Sequence, residues 1–273
     1  MATAHVRGVD LYYEAHGSGP HLVLAHGLLG SVAYSSAHGA RAEDIAAHGL
    51  HVVAYDARGH GRSGFTSQRG DYRYTALAAD LCRLLDALGI ERASIGGGSM
   101  GAGTALTFAL DFPDRVDRLV LWSPPTLDDA MWRRVVARCG FHALAWSYFA
   151  IGVSLTARIV ALPYGEPERG RMRALLNNQR RAAVVPAIRG LFSGPLIPLG
   201  RLSAIDAPTL VLTQPNDVLH PLRSGEILRE RMPHVTLAVG SSAGYWRESP
   251  QAMTKAIASF VKAGSYDRAN PKH

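Results

Sequence analysis

Ser99 stands in Gly97-Gly98-Ser99-Met100-Gly101, a G-x-S-x-G run with strand-like sequence before it (Arg92 to Ile95) and helix-like sequence after it (Ala102 to Ala109). A turn that sharp between strand and helix strains the serine backbone, and bulky residues two positions either side would collide, so glycine is expected at 97 and 101. The hydroxyl is then exposed at the carboxyl edge of a sheet, and the Met100 N–H at the helix start faces the place where an oxyanion would form. The chemistry this predicts is attack on an acyl carbon. A dinucleotide-binding reading of the same glycines fails, because Ser99-Met100 would fall inside the phosphate turn and no acidic residue ends a second strand about twenty residues on.

A serine nucleophile needs a base, and the base needs an orienting acid. Asp217 follows the apolar run Pro208 to Thr213 and falls at the same sheet edge; a turn-forming aspartate is the competing reading. Three residues on, His220 precedes Pro221, where shaping the loop is the simpler role and the one preferred from sequence. Tyr245 lies between Val235–Val239, a strand, and the helix opened by Ser249-Pro250.

The elements that position these groups alternate. Val6 to Glu14 reads as a hairpin about Gly8-Val9, and His21 to Ala25 and His51 to Tyr55 read as buried strands. A helix is expected over Ala33–Ala47, and Tyr74–Leu88 is amphipathic, with Leu77, Leu81, Leu84, Leu85 and Leu88 on one stripe. Val116–Trp122 is a further buried strand. From 126 to 200 the pattern is helical only: an apolar stretch over 141–161, and Glu166–Phe192 interrupted at Pro186. Strand and helix then resume with Pro208–Thr213, Leu222–Arg231, Val235–Val239 and a last helix to about Val261, ahead of a polar tail after Gly264. Alternation broken by a helical insert predicts a doubly wound, mostly parallel sheet with a lid.

Four motifs in order, His26-Gly27, Asp56-x-Arg58-Gly59-His60-Gly61-x-Ser63, Gly97-x-Ser99-Met100-Gly101 and Asp217-x-x-His220-Pro221, resemble the α/β-hydrolase superfamily over about Val6 to Ala263. The resemblance implies an α/β class, an eight-stranded sheet, a core of residues 1–125 and 201–273, and a helical cap at 126–200. It makes Ser99 the nucleophile and Asp217 the acid, with Leu28 as second oxyanion donor beside Met100. His26 and His60 shape loops, and no cofactor or metal is implied. Family members typically carry the catalytic histidine just before the last helix; here that position holds Tyr245, and no histidine occurs between Val235 and Asn270. A phenol is protonated at neutral pH and acts mainly as a donor. Four outcomes follow. An esterase, lactonase, thioesterase or acyl-transferase can work through His220 or substrate assistance. A repurposed enzyme of small-molecule metabolism, of secondary or polyketide type, can catalyse cyclisation, elimination or C–C rearrangement with Tyr245 as proton donor. The chain can be a silent ligand binder, as in the gibberellin receptors, or bind a partner through its cap. The retained elbow favours the two enzymes, and the absent histidine favours the non-hydrolytic one.

Composition bounds the rest. The chain has 273 residues, 47% of them hydrophobic and 19% charged, enough for a sizeable core. Cys82 and Cys139 match no metal spacing, and the first residues lack a signal layout, so a cytoplasmic protein is expected. The nineteen uncharged residues from Cys139 to Ala157 are too polar for a membrane span. Net charge is +7, and residues 126–200 hold ten arginines against four acids. That imbalance suits a solvated face, an anionic substrate or an acidic carrier protein; no motif supports nucleic-acid binding. The cap aromatics Trp132, Trp146, Tyr148 and Phe149 suggest a bulky apolar or aromatic substrate, with Trp146 and Tyr148 as binding residues.

Overall fold

The computed structural model describes residues 2–38, 40–127, 131–162, 165, 166, 168–193, 197–217 and 219–263. Strands β1 (Ala2–Val6) and β2 (Val9–His16) form the hairpin, closed by Arg7 (φ 44°) and Gly8 (φ 81°). Two consecutive left-handed residues make the turn whose twist matches the flanking strands. The remaining strands are β3 (His21–Ala25), β4 (His51–Tyr55), β5 (Ala93–Gly98), β6 (Val116–Trp122), β7 (Thr209–Thr213) and β8 (Val235–Val239). They lie in the order β1-β2-β4-β3-β5-β6-β7-β8, and β2 alone runs antiparallel to both neighbours. This is the mostly parallel, doubly wound sheet that the alternation predicts, with the eight strands that the resemblance implies.

The helices are α1 (Val32–His38), α2 (Ala42–Ala46), α3 (Tyr74–Ala87), α4 (Met100–Asp111), α5 (Met131–Ala150), α6 (Val153–Val160), α7 (Glu168–Asn177), α8 (Arg181–Leu191), α9 (Leu222–Arg231), α10 (Tyr245–Glu248) and α11 (Pro250–Ala263). Because side chains alternate across a strand, each strand feeds two cores. Val23, Val53 and Ile95 meet Leu81 and Leu85 of α3, Phe108 of α4 and Leu228 of α9 on one face. Leu22, Leu24, Val52 and Ala54 meet Ile45 of α2 and Ile257 and Phe260 of α11 on the other. Helices α5 to α8 enter between β6 and β7 and close a third cluster of their own around Tyr148, Leu176, Val184 and Ile188.

Three local expectations change. The helix expected over 33–47 is two short ones, α1 and α2. Pro186 does not interrupt: it sits inside α8, and the break falls between Asn177 and Arg181. The apolar 141–161 stretch is cut at Gly152 (φ 83°), which ends the run of α5 and precedes α6. Among the described residues no helix is long and apolar enough to cross a membrane. The side chain of Trp132 and the tail from Gly264 lie outside what is described.

Candidate active site

Ser99 follows the last residue of β5 directly and adopts φ 52°, ψ −112° as the residue before α4. A non-glycine residue there is strained, and the surroundings hold it. Its N–H donates to the Trp122 and Ser123 carbonyls at 3.2 and 3.1 Å. A Cβ at Gly97 would come within 2.4 Å of the Gly101 backbone, and one at Gly101 within 2.0 Å of the Ala25 carbonyl oxygen. The two glycines that the motif demands are thus the places where β3, β5 and α4 touch.

Beyond β7 the chain turns through Asn216 (φ 58°) into Asp217. One carboxylate oxygen of Asp217 accepts the N–H groups of Leu219 (3.0 Å) and His220 (2.9 Å), folding the segment back on itself. The other lies 3.2 Å from His220 Nδ1 and accepts from Gln214 Nε2 at 3.3 Å. His220 Nε2 then stands 2.9 Å from Ser99 Oγ. Burial would push the Asp217 carboxyl up, but the hydrogen bonds and charge of His220, helped by Gln214, outweigh it and hold it below the ordinary carboxylate value. Asp217 is therefore an anion at neutral pH, able to fix His220 with Nδ1 protonated and Nε2 free to accept from the serine. The sequence preference for His220 as a loop residue before Pro221 is corrected here: the turn made by Asp217 brings its ring onto Ser99.

Leu28 belongs to the loop after β3, which His26 organises. The Ala57 N–H donates to His26 Nε2 at 2.9 Å, and Nδ1 donates to the Gly27 carbonyl at 2.7 Å. Both bonds need one neutral tautomer, and burial lowers the His26 pKa to about 4. His60 packs on it with ring centroids 5.1 Å apart; burial first, then His26, lowers its pKa to about 3. These contacts tie the loop after β3 to the loop after β4. An acid-stability prediction follows. Below pH 6.5, the ordinary imidazole value, the unfolded chain binds two protons that the folded chain refuses until about pH 4 and about pH 3. Stability conferred at neutral pH should therefore fall as pH drops through that window, by up to about 1.4 kcal/mol per pH unit for each histidine. Urea midpoints at pH 7 and pH 5 measure the slope, and His60→Gln should remove about half of it.

A cavity of about 340 Å³ opens at Ser99, with His220, Asp217, Gln214, Ser123 and Leu28 also in its lining. Met100 opens α4, so its N–H has no partner within the helix. Tyr245 does not line the cavity, although its neighbours Trp246 and Arg247 do. Its half-buried ring stands edge-on to Trp246, centroids 4.9 Å apart, beside Gly240, where a Cβ would meet its own at 2.6 Å. Tyr245 was expected at the base position; α10 starts at this residue, and its ring packs on Trp246. Trp146 and Tyr148 were expected as binding residues. Trp146 is 62% exposed, and Tyr148 is fully buried within the cap, its hydroxyl 3.3 Å from the Leu176 carbonyl oxygen. From the cap, Leu175 reaches the cavity. Sequence reasoning missed Ala42, Ile45, Ala54, Met253 and Ile257, which line its inner part; nothing in a sequence separates an alanine beside a cavity from one that merely packs.

A family model described as the alpha/beta hydrolase fold matches residues 20–141. Across 92% of its length the chain is 31% identical to the provisionally named carbamate hydrolase RutD of Caulobacter sp. (strain K31), covering 95% of that protein. The chain belongs to the α/β-hydrolase family. Among solved structures, this α/β-hydrolase is similar to a hydrolase from Pseudomonas aeruginosa PA01 (TM-score 0.79, 25% identity, 96% of this chain and 98% of that one). It is also similar to Est816, described as an N-acyl homoserine lactone degrading enzyme (TM-score 0.74, 25% identity, 95% and 100%). RutD and the Pseudomonas aeruginosa protein carry hydrolase names, and the chain is an enzyme of this family.

Proposed function

We propose that this enzyme is a serine hydrolase of small-molecule esters, lactones or thioesters, with Ser99 as nucleophile, His220 as general base and Asp217 as the acid that orients it. The observation behind this reading is the 2.9 Å contact of His220 Nε2 with Ser99 Oγ. His220 takes the hydroxyl proton as Ser99 attacks the acyl carbon. The oxyanion is met by the backbone N–H groups of Leu28 and Met100, and His220 then gives its proton to the leaving oxygen or sulfur. Water, deprotonated by the same imidazole, releases the acid and restores the serine. The hydrolase name of RutD supports the reaction type.

The non-hydrolytic alternative, a cyclisation, elimination or rearrangement in the same pocket, was motivated by an absent base. With His220 in reach of the serine it ranks second. A fluorophosphonate probe separates the two: stoichiometric labelling of Ser99, with turnover of p-nitrophenyl butyrate, supports the hydrolase, and an unlabelled, well-folded protein rejects it. Tyr245 gives a further discriminating prediction. Tyr245→Phe should leave kcat on that ester within about twofold, because the phenol is no part of the relay. A fall of a hundredfold or more would return the proton-donor role to Tyr245.

A further inference from the structure

Inside the mouth, the cavity does not follow the cap. It runs into the layer between the sheet and α2 and α11, where Leu24 and Ala54 form its floor and Ala42, Ile45, Met253 and Ile257 its walls. All six are at most 8% exposed. They offer no hydrogen-bonding side chain, so a polar ligand portion would lose its hydration there without replacement. Two of the lining residues, Ala42 and Ala54, are short where the packed layers face each other. Between close-packed layers, an unbranched chain needs less width than a ring.

Topology decides which part of a substrate enters. His220 follows β7, which lies on the β6 side of β5, whereas β3 and β4 lie on the other side. The leaving group must sit against His220 to receive its proton. An acyl portion on the far side of the attacked carbon would lie away from β7, on the side of β3 and β4, whose residues Leu24 and Ala54 line the apolar lobe.

We propose that this lobe is an acyl-chain tunnel and that the substrates are esters or thioesters of unbranched, medium-chain fatty acids. The inference rests on the serine-hydrolase reading, but one arm of its test does not depend on turnover. Trp122 and Trp246 both line the cavity. In the Ser99→Ala protein, 2-undecanone, an uncharged chain that cannot be hydrolysed, should bind saturably and change tryptophan fluorescence. Ala54→Leu in that background should weaken binding by about tenfold, and Ala42→Leu serves if that variant does not fold. In active enzyme, kcat/KM for p-nitrophenyl alkanoates should rise by about fourfold per methylene from acetate to octanoate, and Ala54→Leu should lower the octanoate-to-acetate ratio by tenfold or more. Ketone binding without hydrolysis of any ester would keep the tunnel and reject the hydrolase. Ester hydrolysis with a flat chain-length profile and no ketone binding would overturn the tunnel.

Discussion

His220→Ala is expected to lower kcat on p-nitrophenyl butyrate by roughly 10⁴- to 10⁶-fold, with KM changed little and the fold intact. The imidazole stands 2.9 Å from Ser99 Oγ, and its removal leaves the hydroxyl protonated at neutral pH. Residual turnover should come from the oxyanion donors alone. Ser99→Ala should reach the same floor, and the double variant should fall no further, because residues acting as one unit are not additive. Asp217→Asn is expected to cost somewhat less while also loosening the turn that presents His220. Steady-state kinetics and fluorophosphonate labelling check these expectations together. A His220→Ala enzyme within tenfold of wild type would mean that another group activates the serine.

The largest expected effect on stability lies at a pair of charges beneath the loop after β4. Arg58 is 1% exposed and donates from Nε and Nη2 to the two carboxylate oxygens of Asp80, each at 2.8 Å; Arg7 adds a third bond at 2.8 Å. Removing one member leaves the other charge buried without its counter-charge, which typically costs about 3–5 kcal/mol. Asp80→Asn should therefore lower the melting temperature by roughly 10 °C in a chain of this size. Arg58→Met together with Asp80→Leu should recover much of that loss, since neither charge remains to be desolvated. Arg58 sits next to Ala57, whose N–H holds His26, yet kcat per labelled active site is expected to stay near wild type in the fraction that folds. Denaturant titration combined with active-site labelling separates the two quantities. An Asp80→Asn protein as stable as wild type would contradict the burial argument.

Much of the scaffold was legible in the sequence because periodicity and glycine chemistry are local. The apolar runs at 21–25 and 51–55 and the segment 116–122 read as covered strands, and Gly97 and Gly101 marked close approach in the sequence itself. The proposed base, His220, was legible only as one alternative. His220 is three residues from Asp217, and spacing alone cannot reveal that Asn216 turns left-handed and that Asp217 accepts two backbone N–H groups. The turn-forming aspartate and the catalytic aspartate looked like rival readings, whereas the same carboxylate makes both sets of contacts. The cap aromatics failed for another reason. Burial against a neighbouring helix (Tyr148), exposure (Trp146) and ligand contact all present the same residue types.

On the proposed reading, acid and base share one four-residue segment, and the site gains a division of labour. Proton transfer would then depend on the loop after β7, while the connection from β8 to α11 would be released from supplying an imidazole. That connection instead places Trp246 and Arg247 at the cavity, with Trp246 Nε1 anchored to the Thr213 carbonyl at 2.8 Å. Sequence drift or directed evolution in residues 240–248 can therefore remodel what the enzyme accepts without detuning how fast it reacts. Specificity and turnover become separately evolvable, where a histidine at position 245 would tie them to one loop.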